Sequence, residues 1–437
     1  MDSDNFLPDV KQQYEELPYP PRDPERERHR LIQRMGDNLI VLNHHCFGGA
    51  RDFRADFRAL VAGGGTGDST IYLAEQLRGL GGRVVHIDLS TASMAIARER
   101  ARIRGLANID WVNASIMDIP RLGLGQFDYI NCTGVLHHLA SSEAGLRLLA
   151  DALKEGGAIL LMLYGKYGRR AVYDMQELLR AYVPRDAAIA EKIRLARELL
   201  AALPPTNSFV RDMDTWRREI SDDGFGDPGL YDLLLHSQDR CFTVPEIYAL
   251  ADSARLQLLG FIDRADAYDP LTILNDKAQT ARLESLGLPA RQAIAELMRS
   301  DIASHEFYLG KPGANKTATL ADERNSLVLM GAMHGHHRQI ANGLTPGRSL
   351  TFTGRSGSVT VVGNAINRHL FANMDGRTPL ERVYKRTQKA LPGVSRSAIQ
   401  AELNALYKIL HPHAHLYLLR QGSYGVKVPD YGSMQPA

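Results

Sequence analysis

Three glycines at alternating positions, Gly63, Gly65 and Gly67 in VAGGGTGDST, directly follow an apolar stretch and open an amphipathic one. Residues without a Cβ let the backbone turn sharply and approach a ligand closely, so this run predicts a strand-to-helix turn that receives a nucleotide-like cofactor. A dinucleotide fingerprint does not fit. Counting G-x-G-x-x-G from Gly63 puts the third glycine on Asp68, counting from two residues earlier starts on Val61, and only a degenerate match beginning at Ala62 survives. Asp88 ends the segment RVVHID, roughly 20 residues beyond the glycines, where a carboxylate can accept hydrogen bonds from both hydroxyls of a ribose.

The elements needed to position these residues are legible around them. Residues 58 to 165 alternate short apolar runs with amphipathic stretches, the pattern of βαβ units on a parallel sheet. Strands are predicted at RALVAG, RVVHID, IDWVNA, FDYINCT and AILLMLY, with helices at DSTIYLAEQLRGL, TASMAIARERARIRG and SSEAGLRLLADALKEG between them. Residues 167 to 237 hold helical segments broken by prolines and glycines and read as a helical insertion. The α/β pattern then resumes, with a helix opened by Thr243 with Pro245 in its first turn and a strand LQLLGFID. The expected fold is α/β: a Rossmann-like, mostly parallel sheet with helices on both faces, the helical insertion and a small C-terminal α+β module. Its parts are an N-terminal helical lid segment at 1–50, the sheet domain at 51–268, a helical linker at 269–342 and the module at 343–437. The module has a hairpin, RSLTFTG and GSVTVVG, then three helices and a strand HLYLL, an order that resembles a winged-helix or PqqD-like peptide-binding module.

Two further segments, NASIMDIP after the third strand and FDYINCTGVLHHL at the fourth, separate the cofactor choices left by the acidic residue. With the glycine loop and Asp88, residues 55 to 165 resemble the UbiE-like branch of the class I S-adenosylmethionine-dependent methyltransferase superfamily. The resemblance implies S-adenosylmethionine as cofactor. It places Gly63, Gly65 and Gly67 at the methionine moiety, Asp88 at the ribose, Leu89 at the adenine face, Ser115 and Ile116 at the adenine edge, and Thr133 on the methyl-transfer face. Val61 and Ser115 stand where the family often has acidic residues, so contacts to the methionine ammonium and to adenine are expected to be rearranged. The segments QYEELPYP at 13 to 20 and LLHSQDRCFTVPEIY at 234 to 248 look like parts of a bacterial methyltransferase subgroup.

Methyl transfer is an in-line displacement at a sulfonium methyl, which requires alignment of the acceptor and exclusion of water. A hydroxyl or protonated amine acceptor benefits from a general base, for which histidine is suited. The predicted catalytic residues are His137 and His236. His138 reads as structural, and Tyr14, Tyr19, Tyr164, Asp239 and Arg240 are the predicted substrate contacts. No metal is expected: His411, His413 and His415 would share one face if extended but are joined by no cysteine or carboxylate, and the runs His44-His45-Cys46 and His334-Gly335-His336-His337 make no stronger case.

Composition limits the partners. A net charge of +2 over 437 residues gives no electrostatic case for nucleic acid or for a membrane surface. The longest apolar run, AILLMLY, is far short of a membrane span, and the acidic opening MDSDNFLPDV does not read as a secretory signal. Cys46, Cys132 and Cys241 lack metal-ligand spacing and suit free thiols in the cytoplasm. The expected activity is methylation of a small-molecule acceptor. The alternatives are a protein or peptide methyltransferase that uses the C-terminal module to hold its substrate, and a non-catalytic S-adenosylmethionine-binding regulatory protein. A homodimer is compatible with the sequence.

Overall fold

The computed structural model describes residues 8–262, 265–274, 276–330, 336–354 and 357–420. Its centre is a seven-stranded sheet built from β1 (Arg58–Ala62), β2 (Arg83–Asp88), β3 (Ile109–Asn113), β4 (Phe127–Thr133), β5 (Leu153–Tyr164), β6 (Gln257–Phe261) and β7 (Ser304–Gly310). The strand order is β3-β2-β1-β4-β5-β7-β6. The first five pair in parallel, and β7 runs antiparallel to both β5 and β6. Helices cover both faces, so β1 and β4 are buried along nearly their whole length and read as continuous apolar runs. The order reverses between β1 and β4. The loops that follow these two strands therefore diverge and leave a crevice at the carboxyl edge of the sheet, where open α/β folds bind ligands.

Local chemistry fixes the helices nearest that crevice. Gly67, at φ 99°, caps the N-terminus of Asp68–Leu77 in the left-handed region. Ser90 Oγ accepts from Ser93 N–H to start Thr91–Arg104, which Gly105 ends in the left-handed conformation. The helix predicted to open at Thr243 is Val244–Ser253, and Thr243 with Glu246 forms a capping box at its start. The insertion is helical, with its own buried cluster that includes Met175, Phe209 and Leu230, and it closes in a π-helical turn at Tyr231–Leu235.

Two predicted boundaries are corrected. Residues 269–342 are not merely a helical linker, because SHEFYLG at 304–310 is the strand β7 that joins β6 to the sheet. Its polar residues disguise it in the sequence. His305 is fully buried but satisfied, since Tyr268 donates to Nδ1 at 2.9 Å and Nε2–H donates to the Phe242 carbonyl at 3.1 Å. The sheet domain therefore extends past 268. The C-terminal unit in turn begins before 343: β8 (Asn325–Leu329) is the central strand of a second sheet. The unit continues through the hairpin β9 (Ser349–Gly354) and β10 (Gly357–Val362), then β11 (Asp375–Pro379) and β12 (Leu416–Arg420), with the sheet order β11-β8-β12. The three predicted helices lie at Ala365–Ala372, Leu380–Ala390 and Arg396–Leu410.

Strand β12 joins the two parts through its alternating faces. Leu416 and Leu418 enter the core of the C-terminal unit, whereas Tyr417 and Leu419 pack into the cluster that holds Leu39, Val41 and Leu42 of helix Leu39–Cys46. Backbone bonds from Ala318 N–H to His44 O (2.8 Å) and from Arg420 N–H to Gly49 O (2.7 Å) complete this seam. Cys46, Cys132 and Cys241 are unbridged. No helix among the described residues is long and apolar enough to cross a membrane.

Candidate active site

A cavity of about 780 Å³ fills the crevice, within the range typical of small-molecule sites. Gly63 and Gly64 N–H both donate to the Ile87 carbonyl, at 2.8 and 3.1 Å, which ties the glycine loop to the end of β2. The glycines of the loop leave no room for side chains. A Cβ on Gly64 would lie 2.3 Å from the His86 ring, and one on Gly65 would lie 2.9 Å from the Tyr19 carbonyl oxygen at a φ of +51°. The Asp88 carboxylate is held rigidly beneath the loop: Oδ2 accepts from Gly65 N–H at 2.7 Å and Oδ1 from Ser90 N–H at 2.8 Å. Burial pushes its pKa up, and the two backbone donors oppose that shift. A carboxylate oxygen can accept more than one bond, so both retain capacity toward the cavity.

The N-terminal segment closes over this end. Tyr14 O accepts from Ser90 Oγ at 2.9 Å, the Glu15 carboxylate caps the helix at Thr91 and Ala92, and Pro20 O accepts from Thr66 Oγ at 2.8 Å. Arg22 forks onto both oxygens of Asp68 at 2.9 and 2.6 Å. Arg100, 1% exposed, bonds Asp68, Glu27 and the Thr66 carbonyl from below. Burial raises the Asp68 pKa, but the Arg22 and Arg100 guanidiniums outweigh it and hold the carboxyl well below the usual range. The N-terminal segment is thus tied by charge to Asp68, the first residue of the helix that follows the glycine loop.

At the other end, tyrosines surround a buried acid. Asp232 accepts from Tyr14 at 2.9 Å and lies 3.4 Å from the Tyr164 hydroxyl, while Tyr19 donates to Glu219 at 2.8 Å. Burial, with Asp232 nearby, pushes all three phenols well above their ordinary pKa, so they remain donors. Burial also raises the Asp232 carboxyl, against the opposing influence of His138 and the Tyr14 hydrogen bond. His138 lines the cavity and places a ring nitrogen within 4.8 Å of Asp232 and His236 ligand atoms. Its Nδ1 lies 2.8 Å from the Gln238 carbonyl oxygen. His236 stacks on it with ring centroids 3.8 Å apart, and its Nδ1 accepts from Gln238 N–H at 3.1 Å. Arg169, 4% exposed, lies 3.6 Å over the Tyr164 ring and 3.7 Å from Asp239.

Of the predicted cofactor residues, Gly63, Gly65, Asp88, Leu89, Ser115, Ile116 and Thr133 all line the cavity. Gly67 does not; it serves the helix cap, and its absent Cβ leaves room for Ala97, 2.8 Å from where that atom would sit. Ser115 also caps the following turn by accepting from Met117 N–H. Tyr14, Tyr19 and Tyr164 form the wall as expected.

The remaining predicted residues fall elsewhere. His137 is fully buried behind the wall, stacked 4.0 Å from Tyr164, with neither ring nitrogen hydrogen-bonded. The turn after β4 points its neighbour His138 into the cavity instead. His236 stands behind His138 rather than at the surface of the cavity. Asp239 is buried against Gln176 and Arg169, and Arg240 turns outward to Glu143 at 2.9 Å. The residues missed by the sequence reading are Gly64, His138, Asp232 and Glu219. Asp232 had a usable signal: it is four residues before His236, a spacing that brings side chains to one helical face.

The residues present fit S-adenosylmethionine, with a side-chain-free loop, a fixed acid at the end of β2 and an apolar edge at Leu89 and Ile116 in one cavity. Comparison with known proteins agrees. Residues 60–159 match the family "Methyltransferase domain". An uncharacterized protein of Synechococcus is 32% identical over 258 residues, 58% of this chain and 60% of that protein. The ubiquinone/menaquinone biosynthesis C-methyltransferase UbiE of Rhizobium meliloti is 30% identical over 117 residues, 26% of this chain and 43% of that protein. The chain thus spans less than two thirds of the length of these two relatives. The structure of PKMT2 from Rickettsia typhi shares the fold at a TM-score of 0.63 and 14% identity, covering 90% of this chain and 77% of that one. The same protein in complex with AdoHcy gives 0.62 at 15% identity, over 86% and 74%. From the sheet order, the glycine loop, Asp88 and these similarities together, the chain carries a class I S-adenosylmethionine-dependent methyltransferase domain.

Proposed function

We propose that the protein methylates a small molecule bearing an ionisable O–H or N–H, held beside Tyr14, Tyr164, Asp232 and His138. The observation that carries this reading is the shape of the cavity. It runs from the glycine loop and Asp88 to the His138 end, is roofed by the N-terminal segment, and has no lining residue beyond Ser304. The C-terminal unit therefore adds nothing to its wall among the described residues.

S-adenosylmethionine, when bound, supplies the electrophilic methyl group. The chain's own residues align the acceptor, exclude water and take up its proton. A carbonyl can only accept, so the Gln238 contact fixes the proton of neutral His138 on Nδ1 and leaves a lone pair on Nε2 for that task. Asp232 stabilises the imidazolium that forms. Arg169 gives the wall a fixed positive charge toward an acidic group on the acceptor.

The test is to incubate the full-length protein with methyl-labelled cofactor and a cell extract, then separate small molecules from macromolecules. Label in the small-molecule fraction is expected, and label confined to protein would contradict the proposal.

A further inference from the structure

The sequence contains two histidine groups nearly 370 residues apart in the chain, His44-His45 and His411-His413-His415. The fold selects one histidine from the second group and sets it against both of the first. One ring nitrogen from each of His44, His45 and His411 lies within 4.8 Å of the others. The ring centroids are 4.8 Å apart for His44 and His45, 4.7 Å for His44 and His411, and 5.6 Å for His45 and His411. His44 and His45 sit in the last turn of helix Leu39–Cys46, and His411 directly follows helix Arg396–Leu410. The group therefore spans the seam between the N-terminal segment and the C-terminal unit.

We propose that His44, His45 and His411 bind a divalent zinc-type cation through three imidazole nitrogens, with a fourth position left to water, and that this ion clamps the two parts of the chain together. The support is chemical as well as geometric. His411 Nδ1–H donates to the Leu416 carbonyl at 2.9 Å, which orients the ring and leaves Nε2 with its lone pair, the backbone-carbonyl arrangement common behind metal-bound histidines. His44 Nδ1 stands between the Leu418 N–H at 3.1 Å and the Leu418 carbonyl at 3.3 Å, and its Nε2 faces the Tyr407 hydroxyl at 3.2 Å, so binding an ion through Nε2 requires the tautomer that carries its proton on Nδ1 toward the carbonyl.

Three neutral imidazoles with an open fourth position are an established zinc ligand set. Bonds of about 2.0–2.1 Å to a tetrahedral ion put the nitrogens about 3.4 Å apart, so small rotations of the half-buried His45 and His411 rings close the site. His413 and His415 lie outside the group. His334 and Gly335 of the other histidine run lie outside the described residues.

The full-length protein, stripped with a chelator, is titrated with zinc in competition with a chromophoric chelator. One equivalent per chain is expected, weakened in His45→Gln and His411→Gln by more than the roughly 10- to 100-fold seen when only an outer partner is lost. His45→Cys, loaded with cobalt(II), should gain a thiolate charge-transfer band, a readout that does not depend on comparing affinities. No bound equivalent in the folded wild-type protein would overturn the proposal. So would an equivalent that persists in both glutamine variants, or one lost instead in His138→Gln, which would place the ion at His138, Asp232 and His236.

Discussion

The Gln238 carbonyl oxygen lies 2.8 Å from His138 Nδ1, and the next contact of the same residue, Gln238 N–H to His236 Nδ1 at 3.1 Å, has the opposite polarity. One peptide segment thus sets the neutral tautomers of two stacked imidazoles in opposite senses. His138 presents a lone pair at Nε2 and His236 presents an N–H, so of the two only His138 is equipped to accept a proton from a substrate.

Replacement of His138 by Asn should therefore lower turnover roughly 100- to 10,000-fold while leaving S-adenosylhomocysteine affinity nearly unchanged. His137→Asn should behave differently. It removes a ring stacked on Tyr164 in a fully buried site, so it should lower the melting temperature more than it changes the turnover of the folded fraction. Steady-state kinetics and thermal melts on both variants separate the two roles.

S-adenosylhomocysteine at about 100 times its dissociation constant should stabilise the protein by roughly 2.7 kcal/mol. Asp88→Ala should abolish most of that gain if Asp88 holds the ribose, because it removes that carboxylate along with the anchor of Gly65 N–H. Gly64→Ala should also lose it, since its Cβ would collide with the His86 ring. Stabilisation by NADH with none by S-adenosylhomocysteine would contradict the cofactor assignment.

The sequence displayed the parts governed by local rules. Alternating apolar runs marked β1 to β5, and the glycine turn after β1, the helix start at Thr243 and the acid at the end of β2 each followed from residue type and spacing. It concealed what depends on distant partners. β7 carries His305 and Glu306 inside a buried strand, tolerable only because Tyr268 and the Phe242 carbonyl satisfy the histidine from elsewhere. His137 and His138 are adjacent, and which of them faces the cavity is set by the turn after β4 and by Gln238, one hundred residues on.

Truncation tests the corrected boundary. A chain ending at Asn342 keeps β8 but removes β11 and β12, its partners on both sides, and exposes its buried residues. It should aggregate, or melt well below full length, more severely than one ending near Thr317. Equal stability of the Asn342 truncation and the full chain in thermal melts would show that β8 does not depend on the later strands.

Acid should destabilise the fold in part through His86, which is fully buried beneath the glycine loop, bonded to Thr70 Oγ at 2.8 Å, with its pKa pushed down to about 3 by burial and the charge of Arg98. The unfolded chain protonates this side chain below about pH 6.5, whereas the folded chain resists until about pH 3. Its contribution is thus fully present above pH 6.5 and is lost as pH falls, at up to about 1.4 kcal/mol per pH unit. Denaturant melts between pH 7 and pH 4 should show this slope, reduced by about one proton in His86→Gln.

The most direct test is a crystal structure of the protein with S-adenosylhomocysteine. The account predicts ribose hydroxyls on Asp88, the amino-acid part along Gly63 to Gly65, and the sulfur turned toward the Tyr14, Tyr164 and His138 end, with room between it and His138 Nε2 for one acceptor group at the roughly 3 Å reach a base needs. A product bound elsewhere, or a sulfur more than about 10 Å from His138 Nε2 and so beyond that reach, would contradict it.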